Sequence, residues 1–385
     1  MQKILIVSFK KRNMEGIYIT GIGNVLGENY IPLSELAKEF NMSKRKFKKM
    51  KNRYGNSGVY RFTQQKGIEE SACEALDKAT NNAGISHSDI NGLFYTATTS
   101  CRYYVPDLGK IVSSELGLSD IKLVPAGTGC TGGLCAIYNA YNALIRDSCE
   151  DRKSTYVVLM GESNGLHTKD NPETVFLFSD NASAVVLSNN LPKDGYLIKT
   201  VNGITTKGDP YSMTLTNPSF NKNKSNMGFK MQGDGVFTFA MDEALPRFAP
   251  LAGLEKISDA NYFIPSQTII ALLKQMIIQE GLDQNRVYTD GIRERGNTNG
   301  GAVFSGLEDA IKKEYITNQD DILLSVFGAN LQVYSAHLLP RGNVKNIVGA
   351  NEQTKSRPEK QLEVTASDRI LGKIGGFLLR HGVKI

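Results

Sequence analysis

A cysteine inside a glycine-rich run carries the clearest chemical potential in this sequence: Pro125-Ala126-Gly127-Thr128-Gly129-Cys130-Thr131-Gly132-Gly133-Leu134. A strand pattern ends before this run and a helical pattern starts after it, so we expect Cys130 at a helix N-terminus. Free amides and the helix dipole there favour a thiolate, which predicts a lowered thiol pKa and a place for an oxyanion. A thiol in that setting is suited to forming acyl thioesters. The alternative is a small buried cysteine in a helix cap.

The other cysteines lack this setting. The chain has five cysteines and no CxxC pair, which fits neither a disulfide framework nor a structural zinc site. We therefore expect reduced thiols and no metal. Cys135 falls inside the predicted helix, and Cys73, Cys101 and Cys149 have no comparable glycine flanks, so these four are interpreted as core-filling residues.

The elements that position Cys130 belong to an alternating pattern of short β-rich runs and helical stretches, which predicts an α/β fold. A strand at 121–124 leads into the glycine run, and a helix at 134–145 leaves it. Further strands are predicted at 17–23, 93–97, 156–161, 184–187, 196–204, 262–264, 322–327 and 333–339. Further helices are predicted at 69–83, 110–116, 237–247, 267–280 and 302–312, with loops at 214–230 and 293–298.

Length and composition limit the class of protein. With 385 residues, 41% apolar content and 37 glycines, the chain can build a large core, and disorder is excluded. No apolar run approaches the roughly eighteen residues of a membrane span. The opening Ile4-Leu5-Ile6-Val7, with lysines on both sides, is too short for a signal peptide. We expect a cytoplasmic protein without a membrane span.

The positive charge is concentrated in one segment. Residues 44–53 hold seven cations and no acid, whereas the whole chain has a net charge of +6, so the remainder is at −1. A charge of this size is weak support for nucleic-acid binding, and no nucleic-acid partner is expected. The segment is either a solvated helix face or a docking surface for an acidic partner. Its cations include Lys44, Arg45, Lys48, Lys51 and Arg53.

Four further motifs accompany the Cys130 run: Val157-Val158-Leu159-Met160-Gly161-Glu162-Ser163, Phe178-Ser179-Asp180-Asn181-Ala182-Ser183-Ala184-Val185-Val186-Leu187, Gly296-Asn297-Thr298 and Phe327-Gly328-Ala329. Taken with Cys130, they resemble the thiolase-fold condensing enzymes, in particular the 3-oxoacyl-acyl-carrier-protein synthase III branch. The resemblance extends over about residues 15–339. Their order and spacing are specific to the superfamily but not to one reaction within it.

The resemblance implies a five-layer αβαβα body made of two similar βαβαβ halves, usually as a homodimer. We expect a first half at 1–190 with the nucleophile, a second half at 191–340 with the asparagine loop, and a C-terminal extension at 341–385. This extension carries apolar residues at helical spacing in 366–380, which predicts an amphipathic appendage that packs on the body or contacts a partner or a membrane surface.

The resemblance also implies a role for each residue that occupies a position of the family's active-site motifs. Cys130 would accept the acyl group, Asn297 would donate to the oxyanion, and the backbone amides of Cys130 and Ala329 would hold the thioester oxygen. The resemblance implies acyl-coenzyme A or an acyl carrier protein as donor, with no other cofactor. The basic segment 44–53 falls near the expected pantetheine entrance. Ala271 stands where a carrier-docking arginine is common, so docking would depend on Lys274 or the basic segment.

One position departs from the branch. Its motif Pro-His-Gln reads Pro265-Ser266-Gln267 here, so Ser266 replaces the catalytic histidine. Of the four histidines, only His167 is kept as a remote substitute. Decarboxylative condensation needs donors for an enolate, and losing one such donor costs ~10²–10³ in rate. Acyl transfer to Cys130 requires mainly a thiolate and an oxyanion hole.

Three functions follow. The first is an acyltransferase of the synthase III type that loads an acyl group on Cys130 and passes it to a second nucleophile, in a specialised secondary-metabolite or fatty-acid-derived pathway. The second is an ordinary decarboxylative 3-oxoacyl-acyl-carrier-protein synthase III with Ser266 or a water in place of the histidine. The third is a non-catalytic partner subunit, which would form a heterodimer with an active paralogue.

Overall fold

The computed structural model describes residues 16–97, 107–127, 129–163, 172–207, 233–328 and 330–349. In these ranges the strands are β1 (Tyr18–Leu26), β2 (Asn29–Pro32), β3 (Gly58–Arg61), β4 (Gly92–Ala97), β5 (Lys122–Pro125), β6 (Thr155–Glu162), β7 (Asn181–Ser188), β8 (Gly195–Thr205), β9 (Tyr262–Pro265), β10 (Ile322–Gly328) and β11 (Gln332–Arg341). The helices are α1 (Leu33–Glu39), α2 (Lys44–Tyr54), α3 (Ile68–Ala83), α4 (Leu108–Glu115), α5 (Gly132–Cys149), α6 (Pro172–Val175), α7 (Gly233–Thr238), α8 (Leu245–Leu251), α9 (Ile270–Glu280), α10 (Asp290–Arg295) and α11 (Ala302–Lys312).

The same pairing pattern occurs twice in the main sheet, whose order is β5-β4-β6-β7-β1-β8-β11-β10-β9. In the first half β4 runs parallel to β6, and β6 runs antiparallel to β7. In the second half β9 runs parallel to β10, and β10 runs antiparallel to β11. The halves are joined where β1 pairs with β8, at Tyr18 with Leu197 and Ile19 with Tyr196. This repetition is what a body of two similar halves requires.

Three apolar clusters define the layers. The central cluster joins α5 and α11 to inward-facing residues of both half-sheets. A second cluster lies between α3, α4 and the outer face of the first half-sheet, and a third between α8, α9 and the second. The layer order is therefore α, β, α, β, α, and the predicted thiolase-like α/β fold is confirmed.

Strand β6 shows how the sequence sets these layers. Tyr156, Val158 and Met160 belong to the central cluster, whereas Val157 and Leu159 belong to the outer one. The alternation follows from the two-residue period of a strand. Since both faces are covered by helices, the whole strand is buried.

The basic segment forms α2 on the periphery, beside the β2–β3 hairpin. Phe47, Met50 and Tyr54 pack on a small cluster with Val175 and Phe176. The cations point outward, since the cationic side chains of 44–53 are all exposed. Helix α2 is therefore amphipathic, with an apolar inner face and a cationic outer face.

Local differences from the sequence interpretation are confined to short elements. The sequence missed α1 and the β2–β3 hairpin, and it placed a loop where α10 forms. The core-filling interpretation is wrong for Cys149, which is exposed at the end of α5, whereas Cys135 is buried. Cys101, His167, the loop 214–230 and the appendage at 366–380 lie outside the described residues. Within the described residues no helix has the length and apolar character needed to cross a membrane.

Candidate active site

Cys130 lies in a 3-10 turn, Gly129–Thr131, directly before α5. The turn is reached from β5 through Gly127 at φ +75° and Gly129 at φ +68°, a region that glycine enters without steric cost. A Cβ on Gly127 would also lie 3.0 Å from the Cys135 sulfur. The glycine-rich run thus places Cys130 at the start of a helix, as predicted from the sequence.

The asparagine loop comes from the second half and is held by backbone pairing with the first. The Asn297 amide donates to the Leu177 carbonyl at 2.9 Å, and the Ser179 amide donates to the Asn297 carbonyl at 2.9 Å. Asn297 is 5% exposed, and its side-chain oxygen accepts from the Asn299 amide at 2.8 Å. Both ends of this residue are therefore fixed.

The side chain that contacts the Cys130 thiol is Asn299, which the sequence interpretation missed. Its Oδ1 accepts a hydrogen bond from the Cys130 Sγ at 3.4 Å. Asn299 opens a second 3-10 turn, Asn299–Gly301, with φ +49°, a conformation that asparagine tolerates better than most residues. Its position two residues after Asn297 in a Gly-Asn-Thr-Asn-Gly-Gly run was the available signal.

The two turns approach each other closely because both are built from glycine. A Cβ on Gly133, in the first turn of α5, would lie 2.2 Å from the Gly300 carbonyl oxygen. A Cβ on Gly300 would lie 3.2 Å from the Gly129 oxygen and from the Gly133 nitrogen. Larger residues at either place would separate Cys130 from Asn299.

The electrostatic setting of Cys130 is the reverse of the sequence prediction. Burial, together with the negative charge of Glu162, raises the pKa of the Cys130 thiol to about 12. The helix N-terminus was expected to lower this pKa, and that expectation is wrong because burial of the thiol and the nearby carboxylate both disfavour the thiolate. Glu162 ends β6, is fully buried and was missed as a site residue. Its signal was a glutamate closing an otherwise apolar strand.

An ionic cluster at the junction of α10 and α11 holds the asparagine loop from behind. Arg295, the residue before Gly296, lies 3.4 Å from Asp309, and Tyr288 donates to Asp309 at 2.5 Å. Lys313 contacts Asp309 at 3.0 Å and Asp290 at 3.2 Å. Burial alone would raise the pKa of Asp309, but Arg295 and Lys313 outweigh it and lower that pKa. The cluster fixes the chain direction into Asn297.

Ser266 is buried, directly after β9. Its amide donates to the Ser325 carbonyl at 2.8 Å, and its Oγ accepts from the Phe327 amide at 3.4 Å. The next residue, Gln267, donates to the carbonyls of Pro265 at 2.9 Å and Tyr288 at 3.0 Å. Among the described residues the Ser266 hydroxyl acts as an acceptor, which leaves its proton for donation.

The described histidines are engaged elsewhere. His337 lies in the middle of β11, 2.6 Å from Asp321, whereas the turn of Cys130 meets the start of this strand through Thr131 and Gln332. His87 lies 2.8 Å from Asp77. Of the described residues, Glu162 is the one whose charge acts on the Cys130 thiol. Ala329, the second predicted oxyanion amide, lies outside the described residues, although Gly328 sits against Thr131.

The basic helix leads to the asparagine loop at its C-terminal end. After the Gly55 cap, the Ser57 amide donates to the Arg293 carbonyl at 3.1 Å. The side-chain nitrogen of Asn56 lies 3.6 Å from the position that a Cβ on Gly296 would occupy. Gly55 also abuts Ile270 of α9, one turn before Lys274. Helix α2 and Lys274 are therefore brought together at the edge of the site, while their roles in substrate binding stay predictions. The candidate substrate-binding cations of α2 are Lys44, Arg45, Lys48, Lys51 and Arg53.

Comparison with known proteins places this geometry in context. The model of a family described as 3-oxoacyl-[acyl-carrier-protein (ACP)] synthase III C terminal matches residues 252–339. The chain is 26% identical over 325 residues to the beta-ketoacyl-[acyl-carrier-protein] synthase III of Clostridium perfringens strain SM101, with 83% of this chain and 97% of that protein covered.

Solved structures share the fold. The priming beta-ketosynthase of the R1128 polyketide biosynthetic pathway superposes with a TM-score of 0.73 at 19% identity, covering 87% of this chain and 99% of that one. OleA of Xanthomonas campestris, solved with bound lauric acid and lauroyl-CoA, superposes with a TM-score of 0.69 at 16% identity, covering 85% and 99%. These likenesses agree with the thiolase-like layers described above.

Proposed function

We propose that this protein is an acyl-thioester transferase of the ketoacyl synthase III type, a condensing-enzyme relative that loads an acyl group on Cys130. The observation that carries the proposal is the meeting of Cys130 with Asn299 across the two glycine turns, 3.4 Å apart. A cysteine at the start of a helix, facing an asparagine loop from the other half, is the arrangement that covalent acyl transfer needs. The synthase III name of the bacterial relative supports the same class.

In the proposed loading step Cys130 attacks the thioester carbonyl and expels the carrier thiol. The tetrahedral oxyanion is held by the backbone amide at Cys130, by Asn297 and by the amide of Ala329. The Asn297 oxygen already accepts from the Asn299 amide, so its NH₂ end is the one left for the substrate oxygen. The acyl group then passes to a second nucleophile.

The donor we propose is acyl-coenzyme A or an acyl carrier protein. OleA binds lauroyl-CoA, and the name of the Clostridium relative includes an acyl carrier protein. The exposed cations of α2 and Lys274 would meet the phosphates or an acidic carrier. The likeness to a priming ketosynthase of a polyketide pathway supports a role in specialised biosynthesis. A homodimer and a cytoplasmic location remain predictions.

Covalent loading is tested by intact mass after incubation with a panel of acyl-coenzyme A and acyl-carrier thioesters. We expect an acyl adduct that Cys130→Ala abolishes and that Cys149→Ala, which removes an exposed cysteine elsewhere, leaves unchanged. Asn297→Ala should slow loading by ~10²–10³. No adduct with any donor would overturn the proposal and favour a non-catalytic partner subunit.

Decarboxylation of a malonyl thioester separates this proposal from an ordinary synthase III. With Ser266 in place of an imidazole, we expect the unmodified protein to decarboxylate poorly, because a neutral hydroxyl is a weak donor to an enolate. Ser266→His should raise the rate. Robust decarboxylation by the unmodified protein would show that the ordinary condensing reaction is intact.

A further inference from the structure

Glu162 is a buried ionisable group that the loading step described above does not use. It follows Tyr156, Val158 and Met160 at the two-residue period, so its side chain lies on the inner face of β6, toward α5. It is 0% exposed. Burying a carboxyl in such a position is costly, whereas an apolar residue would carry no such cost.

The carboxyl lies where the two active-site turns meet. Its Oε1 is 3.4 Å from the position of a Cβ on Gly300, and that same point is 3.2 Å from the Gly129 carbonyl oxygen. Gly129 precedes Cys130, and Gly300 follows Asn299, the residue that accepts the Cys130 thiol hydrogen bond. The thiol, the asparagine turn and the carboxyl therefore share one small region.

The Cys130 Sγ lies 3.4 Å from the Asn299 Oδ1, and burial raises the pKa of this thiol, so the protonated form is favoured at neutral pH. The reactive form in thioester chemistry is the thiolate, so loading must first remove this proton. An amide oxygen cannot take it, and the described histidines are occupied by Asp77 and Asp321. Among the described residues, the carboxylate of Glu162 is the neighbouring group that can.

We propose that Glu162 accepts the proton of the Cys130 thiol during acyl loading, an inference that rests on the acyl transfer proposed above. The S–H bond of Cys130 breaks and an O–H bond forms on Glu162. The thiolate attacks the thioester carbonyl, a new C–S bond forms, and the bond to the carrier sulfur breaks. Glu162 then returns the proton to the departing carrier thiolate, which leaves as a thiol.

The described elements around this pair carry few other charges. Across the sheet Glu162 pairs with Asn181, which is neutral, and Gly161 pairs with Ala97 of β4. The turn Asn299–Gly301 has no ionisable side chain. Helix α3 packs on Gly161 through Ile68 and carries Glu69 and Glu70 in its first turn. Within the described part of the chain, the charge that acts on the Cys130 thiol is that of Glu162.

The test compares Glu162→Gln with Glu308→Gln, a matched change at a largely buried glutamate outside the site. Two quantities are measured for each variant, and the signal of Cys130→Ala is subtracted as the background. The first is thiolate absorbance at 240 nm against pH. The second is the rate of Cys130 acylation at pH 7.5 by p-nitrophenyl acetate, which needs no carrier recognition, and by acyl-coenzyme A.

We expect Glu162→Gln to form the thiolate at lower pH and yet to acylate ~10²-fold or more slowly, because the proton acceptor is gone. Glu308→Gln should move neither readout. If Glu162→Gln acylates as fast as or faster than the unmodified protein, Glu162 merely suppresses the thiolate and the inference is wrong. An unchanged thiolate titration would also overturn it.

Two further comparisons distinguish the role of Glu162 from a folding defect and from a failure of the proposed function. Glu162→Asp keeps a carboxylate, so it should retain more acylation than Glu162→Gln; equal losses in two folded variants would contradict a proton transfer. If p-nitrophenyl acetate labels Cys130 in a Glu162-dependent manner while no acyl thioester does, the proposed function fails and the assignment of Glu162 stands.

Discussion

The two halves of the molecule hold their active-site residues by different physical means. In the first half, the turn of Cys130 is fitted by glycines against the asparagine turn, and Glu162 is the charged group that reaches it. In the second half, the asparagine loop is backed by the ionic cluster of Arg295, Asp309, Tyr288 and Lys313. Close packing sets the distance between the reacting groups, whereas ion pairing sets the direction of the loop.

The largest loss of stability is expected when the ionic cluster behind the asparagine loop is disrupted. Asp309→Ala leaves Arg295 buried without its carboxylate, and breaking a buried pair in this way costs about 3–5 kcal/mol of unfolding free energy. Chemical denaturation measures the loss. Glu314→Ala, which removes the partner of Lys345 in an exposed pair, should cost under ~1 kcal/mol. Equal effects of the two changes would show that the buried ionic cluster supports the second half no more than an exposed ion pair does.

The next effect concerns the thiol. A pKa of about 12 rather than 9.0 means that Cys130 is ionised about 10³ times less than an ordinary thiol at pH 8, since the raised pKa favours the protonated form. We expect iodoacetamide to label exposed Cys149 well before Cys130, and labelling of Cys130 to keep rising above pH 10. Peptide mapping measures both. Rapid labelling of Cys130 at pH 7 would show that the pKa of this thiol is lowered, as the sequence predicted.

Glycine packing in the first half is tested by Gly133→Ala. The new Cβ would lie 2.2 Å from the Gly300 oxygen, which must shift and carry Asn299 away from Cys130. We expect about 3 kcal/mol of destabilisation and slower acyl loading. Gly281→Ala is the control, because its surroundings are open and only its positive φ carries a cost, ~1 kcal/mol. Similar losses at both glycines would show that packing is unimportant at the turns.

The smallest effect is expected at the surface. Reversing two exposed charges of α2, Lys48→Glu with Lys51→Glu, should raise the KM for an acyl-carrier or acyl-coenzyme A donor several-fold and leave kcat unchanged. The effect should vanish at high salt, since exposed charges are screened. Lys122→Glu, on the edge strand β5, is the control. A salt-independent loss would argue against electrostatic docking on α2.

Periodicity and glycine positions predicted the alternating strands and helices and the helix start at Cys130, because they report on local backbone geometry. The five layers and the role of the Asn297 loop were implied by the resemblance to the condensing enzymes. The sequence interpretation missed Asn299 and Glu162, whose roles depend on contacts between residues far apart in the chain. It also predicted the wrong direction for the thiol pKa. Helix ends can be inferred from sequence, but the desolvation of one sulfur depends on how tightly two turns from different halves pack.

Strand β1 (Tyr18–Leu26) is made early, yet its neighbours are β7 and β8, so a growing chain must pass Leu197 before this strand has both partners. Contacts of such long sequence separation are formed late in folding. Cys130 is synthesised well before Asn299. Until the halves assemble, its thiol is that of an unfolded chain, with ordinary acidity and full access to oxidants. The cysteine is thus most vulnerable to damage during biogenesis, and completion of the fold protects it.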